Sequence, residues 1–417
     1  MLARLIGRAG LAPSAPSATA TTAPLTLAGV PLRREQEVLH ILLAGATGVG
    51  KSVAITELLL GIARRGERFI VADPNGFYAS RFGRDGDTLL NPFDRRSPGW
   101  SPFAEVRKPH DFDIVARAIV PDGHGPDAAW HFYAQTLIAD VMRALMGQGK
   151  SDTAALIEAL TTWDASRLGS LVAGSAAAGL FDADASRALA STRFIIASHL
   201  KAFAHLRPGD FGLRQWLQSG RGNLFLTWRE DMNAALAPLL ACWIDLLCTA
   251  ALSQPPEPGR RLWLILDELA SLGKISSLEA ALTKGRKHGL CCVAGVQSTA
   301  QLERIYGREG AIVLRSCFRN FAAFAVARAA PDTAETFSRA LGERETDRGL
   351  PGQSSGAQGR SDSVSIQRVR ERAVLASEIC ELPDLQAYLA LAGPEPVRLV
   401  RFAPVNLPQR AEPFEER

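Results

Sequence analysis

A chain of 417 residues is too long for one ordinary hydrophobic core, so about two domains are expected. With 47% hydrophobic and 22% charged residues, it has the composition of neither a disordered nor a fibrous protein. A formal net charge of +4 excludes a strongly acidic or strongly basic protein; it leaves room for a local cationic groove without requiring one.

Residues 1–24 contain no acidic side chain and are rich in Ala, Ser, Thr and Pro, which predicts a disordered leader or linker. The apolar run Ile41 to Ala44 then predicts a buried strand entering a glycine-rich turn. Residues 52–63 follow with apolar positions at helical spacing (Ile55, Leu58, Leu59, Ile62). Phe69 to Ala72 predicts a second buried strand, stopped by Asp73-Pro74-Asn75-Gly76.

From residue 105 to 208 helical runs follow one another and strand patterns are scarce. Alternation then resumes. Strands are expected at 223–228, 262–266, 290–296 and 321–326, and helices at 231–252, 276–284, 298–306 and 332–341. The helix ending at Leu252 is apolar enough to suggest a membrane span. Pro238 and Asp245 inside it favour a buried core helix instead. Residues 349–365 are low in complexity and predict a mobile loop, and residues 386–402 a hairpin turning at Gly393 to Pro396. Six cysteines (Cys242, Cys248, Cys291, Cys292, Cys317 and Cys380), with no C-x-x-C pair, read as free thiols of a reducing compartment.

The alternation defines an α/β fold with a mostly parallel sheet covered on both faces, interrupted by an all-α insert. The expected partition is 25–104 with 209–417 for the α/β domain and 105–208 for the insert.

Gly45-Ala46-Thr47-Gly48-Val49-Gly50-Lys51-Ser52 matches G-x-x-x-x-G-K-[ST] in full, between a predicted strand and a predicted helix. Such a loop wraps phosphates with backbone N–H groups, and the helix N-terminus adds a positive dipole end. Lys51 is assigned to the β- and γ-phosphates of ATP and Ser52 to Mg²⁺. A second signal is Leu262 to Leu266 followed by Asp267-Glu268, two carboxylates where a central strand leaves the sheet. Asp267 is the expected second holder of Mg²⁺, and Glu268 the expected general base for the attacking water. Gln297, ending the next strand, is placed to sense the γ-phosphate or position that water. Arg286, in the basic turn at 283–289, has two readings: an arginine finger, or a solvated cation of a basic turn.

These motifs come with others. They include Leu27-Ala28-Gly29-Val30-Pro31-Leu32, Leu90-Asn91-Pro92-Phe93-Asp94, Trp100-Ser101-Pro102-Phe103, Asp267-Glu268-Leu269-Ala270-Ser271-Leu272, Gly295-Val296-Gln297-Ser298 and Glu381-Leu382-Pro383-Asp384-Leu385. From about residue 25 to its end, the chain resembles the TrwB/TraD-type coupling proteins of bacterial conjugation and type IV secretion.

The resemblance implies a RecA-like P-loop NTPase domain with an all-α insert, assembled as a homo-hexamer with ATP between subunits. Lys51, Ser52, Asp267, Glu268, Arg286 and Gln297 fall on the family's motor positions. The implied work is ATP hydrolysis that drives single-stranded DNA, with its relaxase, from the relaxosome toward type IV secretion membrane components. The implied location is the bacterial cytoplasm at the inner face of the inner membrane.

Two departures stand out. The first 44 residues hold none of the transmembrane helices usual in the family, which reads as the cytosolic part of a longer protein or a relative recruited by a membrane partner. Asn75 stands where Asp-Pro-Lys-Gly is common. Two other readings accompany the main one: a ring motor acting on duplex DNA, and a docking platform that binds nucleotide with little turnover.

Overall fold

The computed structural model describes residues 23–123, 125–257, 259–356 and 359–417. The leader expected over residues 1–24 lies almost entirely outside them. Among the described residues thirteen strands follow in chain order. A short hairpin, β1 (Leu25–Leu27) and β2 (Val30–Leu32), precedes β3 (Ile41–Ala44), β4 (Arg68–Pro74) and β5 (Thr88–Leu90). After the helical segment come β6 (Leu224–Trp228), β7 (Leu262–Leu266), β8 (Leu290–Val296) and β9 (Asn320–Phe324). The chain then makes a long hairpin, β10 (Glu343–Gly356) with β11 (Gly359–Arg372), and finishes with β12 (Gln386–Ala390) and β13 (Arg398–Arg401).

Nine strands form one sheet in the order β13-β12-β9-β3-β8-β7-β4-β6-β5. All its pairings are parallel except those of β12 with β9 and with β13. Because successive side chains point to opposite faces, each central strand feeds two cores. Leu42, Ile70, Leu264 and Leu266 enter one; Ile41, Leu43, Phe69, Val71, Trp263 and Ile265 enter the other. The fold is the expected α/β RecA-like sheet with a helical layer.

The second core is closed by the Lys51–Arg64 helix and the β1–β2 hairpin. Glu57 of that helix holds the hairpin, accepting hydrogen bonds from the Thr26 hydroxyl and the amides of Ala28 (2.8 Å) and Gly29 (3.1 Å). The first core runs without interruption into the helices Asp111–Ile119, Ala128–Gly147, Thr153–Thr161 and Ser186–Leu200. The bridge is the Asn233–Leu252 helix, apolar around most of its circumference and buried between sheet and helical layer. Among the described residues it is the one helix long and apolar enough to cross a membrane. Asp245 inside it is satisfied by the Ser277 amide at 2.6 Å.

Two local expectations change. Residues 349–365 belong largely to β10 and β11 rather than to a loop. The pairing is carried by charged cross-strand partners nearer the base, such as Glu343 with Arg372 and Asp347 with Arg368. The helix expected at 298–306 continues to Ser316, because the chain resumes helix after Gly307, whose φ of +73° breaks the first segment. All six cysteines are free, and four are buried.

In the helical layer the rings of His131 and His199 meet edge to face, 6.1 Å apart. The His131 Nδ1 lies 2.6 Å from the Pro121 carbonyl, whereas the His199 Nδ1 is buried without a partner. Burial, helped by His131, lowers the His199 pKa to about 4. The unfolded chain therefore binds the proton more readily, and stability is lost as pH falls from about 6.5 through 4. The thermal midpoint of wild type is expected to drop more steeply across that window than that of His199→Gln, by a difference worth on the order of a few kcal/mol. Parallel melting curves at pH 7, 5.5 and 4 check it.

Candidate nucleotide site

Four neighbouring parallel strands, β3, β8, β7 and β4, end on the same edge of the sheet, the place where parallel α/β sheets bind ligands. Each delivers one part of the site. β3 runs into the Gly45–Ser52 loop, which turns into the Lys51–Arg64 helix. Two glycines here are required by geometry. Gly45 lies against β9, where a Cβ would stand 2.6 Å from Phe324 Cβ, and Gly50 caps the helix at φ +114°.

Lys51 is buried, and its Nζ donates back along the loop to the carbonyls of Gly45 (2.8 Å) and Ala46 (2.7 Å). Burial lowers its pKa, while Glu268 and Asp267 act in the opposite sense.

β7 delivers the carboxylates. The Ser52 hydroxyl donates to Asp267 Oδ2 at 3.0 Å, with Oδ1 at 3.3 Å, which brings the loop and the strand end together. β8, between them, delivers Gln297, whose Nε2 donates to Glu268 Oε2 at 2.6 Å. The other carboxylate oxygen, Glu268 Oε1, is buried with no hydrogen-bond partner. Burial raises the pKa of both Asp267 and Glu268.

β4 delivers Asp73 and the turn that follows. The register Ala72↔Leu266 sets Asp73 beside Asp267. Asp73 accepts the amides of Tyr78 (3.0 Å) and Ala79 (2.7 Å), and burial lifts its pKa to about 7. The Tyr78 hydroxyl then reaches Asp267 Oδ2 at 2.8 Å. Asn75 adopts φ +59°, a conformation asparagine tolerates, and its Oδ1 accepts the Glu230 amide at 3.1 Å. Its side chain thus pins the neighbouring loop.

These parts line a cavity of about 600 Å³, walled by Thr47, Gly48, Lys51, Ser52, Asp267, Glu268 and Gln297 and, opposite, by Glu230, Asn233, Gln301 and Arg304. The residues suit a magnesium nucleotide. Ser52 and Asp267 offer the oxygen donors that Mg²⁺ prefers, the loop offers amides, and Glu268 adds a carboxylate to the cavity wall.

Of the residues singled out in the sequence, Gly45 to Ser52, Asp267, Glu268 and Gln297 converge here. Arg286 does not. It precedes β8, at the opposite strand ends, and lines a separate cavity of about 560 Å³ with Arg261, Lys284 and Lys287. Tyr78, Asp73 and Arg304 were not singled out. The only sequence trace of the first two is the Asp-Pro-Asn-Gly stop that ends β4.

A phosphate loop, two strand-end carboxylates and a polar strand end on one parallel sheet define a P-loop nucleotide-binding protein of RecA-like fold. The model of the type IV secretion-system coupling protein DNA-binding domain matches residues 24–403, and the chain belongs to that family. Coupling protein TraD of Escherichia coli (strain K12) is 30% identical over 385 residues, covering 89% of this chain and 53% of TraD. The chain thus spans about half the length of this curated relative.

Among solved structures, the bacterial conjugative coupling protein TrwBdeltaN70, in an unbound form, superposes with a TM-score of 0.89 at 42% identity. The match covers 95% of this chain and 92% of that one. The plasmid coupling protein TrwB in complex with ADP and Mg²⁺ gives 0.88 at 42% identity, over 95% and 92% of the two chains.

Proposed function

We propose that this chain hydrolyses ATP with Mg²⁺ and uses the energy to move single-stranded DNA, coupling a relaxosome to a type IV secretion channel in conjugative transfer. The observation that carries the reading is Glu268. It is a half-buried carboxylate that lines the cavity with Asp267, Ser52 and Lys51, one oxygen tied to Gln297 and the other without a hydrogen-bond partner.

In this reading Lys51 and the loop amides hold the phosphates, Ser52 and Asp267 hold Mg²⁺, and Glu268 takes the proton of the attacking water. Bound Mg²⁺ supplies charge neutralisation for the phosphates. Gln297 keeps the Glu268 carboxylate oriented. Arg286 has no place in the cavity of its own chain. In this reading it completes the site of a neighbouring copy in a homo-hexameric ring with nucleotide between subunits. DNA is held through its phosphates, without sequence preference, and so in a strongly salt-dependent way. The working location is the cytoplasmic side of the inner membrane, alongside relaxase and secretion partners.

The test is ATP turnover without DNA, with single-stranded DNA and with duplex of equal length, at two salt concentrations. Stimulation is expected to be greater with the single strand and to fade at the higher salt. Stronger stimulation by duplex would make the chain a duplex translocase. Nucleotide binding without turnover under every condition would make it a docking platform.

A further inference from the structure

We infer that Tyr78 is a positioning residue for magnesium at this site, acting through Asp267; the inference rests on the reading of Asp267 as a holder of Mg²⁺. The side chain is fully buried, its ring packed against Phe77 (centroids 5.1 Å apart) and Phe82 (6.5 Å). Its hydroxyl donates to Asp267 Oδ2 across 189 residues of sequence. The same oxygen takes the Ser52 hydroxyl. Two O–H donors therefore hold Oδ2 from two directions, one from the phosphate loop and one from the turn after β4.

A carboxylate fixed in this way cannot rotate about its Cβ–Cγ bond without breaking a buried hydrogen bond. The donor itself is anchored: Asp73 takes the backbone amides of Tyr78 and Ala79, so a second buried carboxylate sets where the phenol sits. The turn is fixed from outside as well. The Arg410 amide donates to the Ser80 carbonyl at 2.7 Å, and Pro413 lies so close to Gly76 that a Cβ there would stand 2.1 Å from its carbonyl oxygen. Removing a group that orients a metal-holding carboxylate from behind typically costs about 10–100-fold in metal affinity.

The variant is Tyr78→Phe, which keeps the ring and removes only the hydroxyl. The readout is equilibrium binding of a fluorescent ADP analogue to the full chain, titrated with Mg²⁺ and repeated in EDTA, alongside wild type and Asp267→Asn. Tyr78→Phe is expected to raise the half-saturating Mg²⁺ concentration about tenfold. Its affinity for the analogue in EDTA should stay at the wild-type value, showing that the pocket is intact.

An unchanged or lowered Mg²⁺ requirement in Tyr78→Phe, with the wild-type response lost in Asp267→Asn, would overturn the role of Tyr78 alone. Equal Mg²⁺ responses in wild type and Asp267→Asn would instead overturn the reading of Asp267, and the inference with it. Weakened binding in EDTA would also overturn it, because the hydroxyl would then be holding the pocket rather than the metal.

Discussion

Replacing Glu268 by glutamine is expected to cut ATP turnover by about 10²–10⁴-fold while nucleotide is still bound. The substitution is nearly isosteric, and the bond from Gln297 Nε2 to Oε2 survives through the new amide carbonyl. What disappears is the proton acceptor. The Oε1 atom, buried and unpaired in the wild type, becomes an NH₂ group that cannot take a proton from water. Lys51→Ala separates the two functions in the opposite way, since it removes a cation that reaches the loop carbonyls and leaves the base in place.

Single-turnover hydrolysis and equilibrium binding on the same samples distinguish them. Turnover in Glu268→Gln within a few-fold of wild type would remove Glu268 from the role of base. Burial raises the Glu268 pKa, so wild-type turnover should also fall off on the acid side at a higher pH than an exposed glutamate would give.

The second large effect concerns a residue with no side chain. In β8, a Cβ on Gly295 would stand 1.8 Å from the Asp267 carbonyl oxygen and 2.8 Å from its carbonyl carbon. No rotamer relieves a clash between a Cβ and a neighbouring backbone, so Gly295→Ala must drive β7 and β8 apart where they carry Asp267, Glu268 and Gln297. The expected cost is about 1–3 kcal/mol of stability, more if the strands cannot yield.

Activity should suffer further. Moving Asp267 by about 1 Å from Ser52 disrupts the metal geometry, and such displacements cost about 10²-fold in rate. A variant that melts several degrees below wild type and has lost its turnover at temperatures where it is still folded fits this account. One with wild-type melting and turnover does not.

The parts of the site that were legible in the sequence are those whose chemistry is contiguous. The loop from Gly45 to Ser52 carries its own strand before it and its own helix after it. Asp267 and Glu268 sit at the end of five consecutive apolar residues. Tyr78 was not legible, because the Asp73-Pro74-Asn75-Gly76 stop before it marks a turn and gives the tyrosine no role. Its partner is Asp267, and the two meet only because β4 and β7 are neighbours in register.

Strand order is a property of the whole sheet, and the local pattern around either strand does not contain it. The β10–β11 hairpin was hidden for a different reason. Its Gly-, Ser- and Pro-rich stretch lacks the alternation that marks a half-buried strand, and the pairing is visible only once Glu343 faces Arg372. Gly307 stopped the helical pattern where the helix in fact resumes.

The buried helix from Asn233 to Leu252 has a mechanical meaning. At 20 residues it is a rod of about 30 Å. Its first residue lines the nucleotide cavity, and its flank forms the core of the helical layer. Pro238, little more than a turn from the cavity end, removes one backbone hydrogen bond and so places the softest point of the rod next to the nucleotide.

Beyond that point the rod is packed between sheet and helical layer, so a displacement that passes Pro238 would reach the helical layer as a movement of the whole packed segment. Linkage makes the traffic reciprocal. Any ligand of the helical layer that prefers one setting of the rod must change nucleotide affinity by the same factor by which nucleotide changes its own.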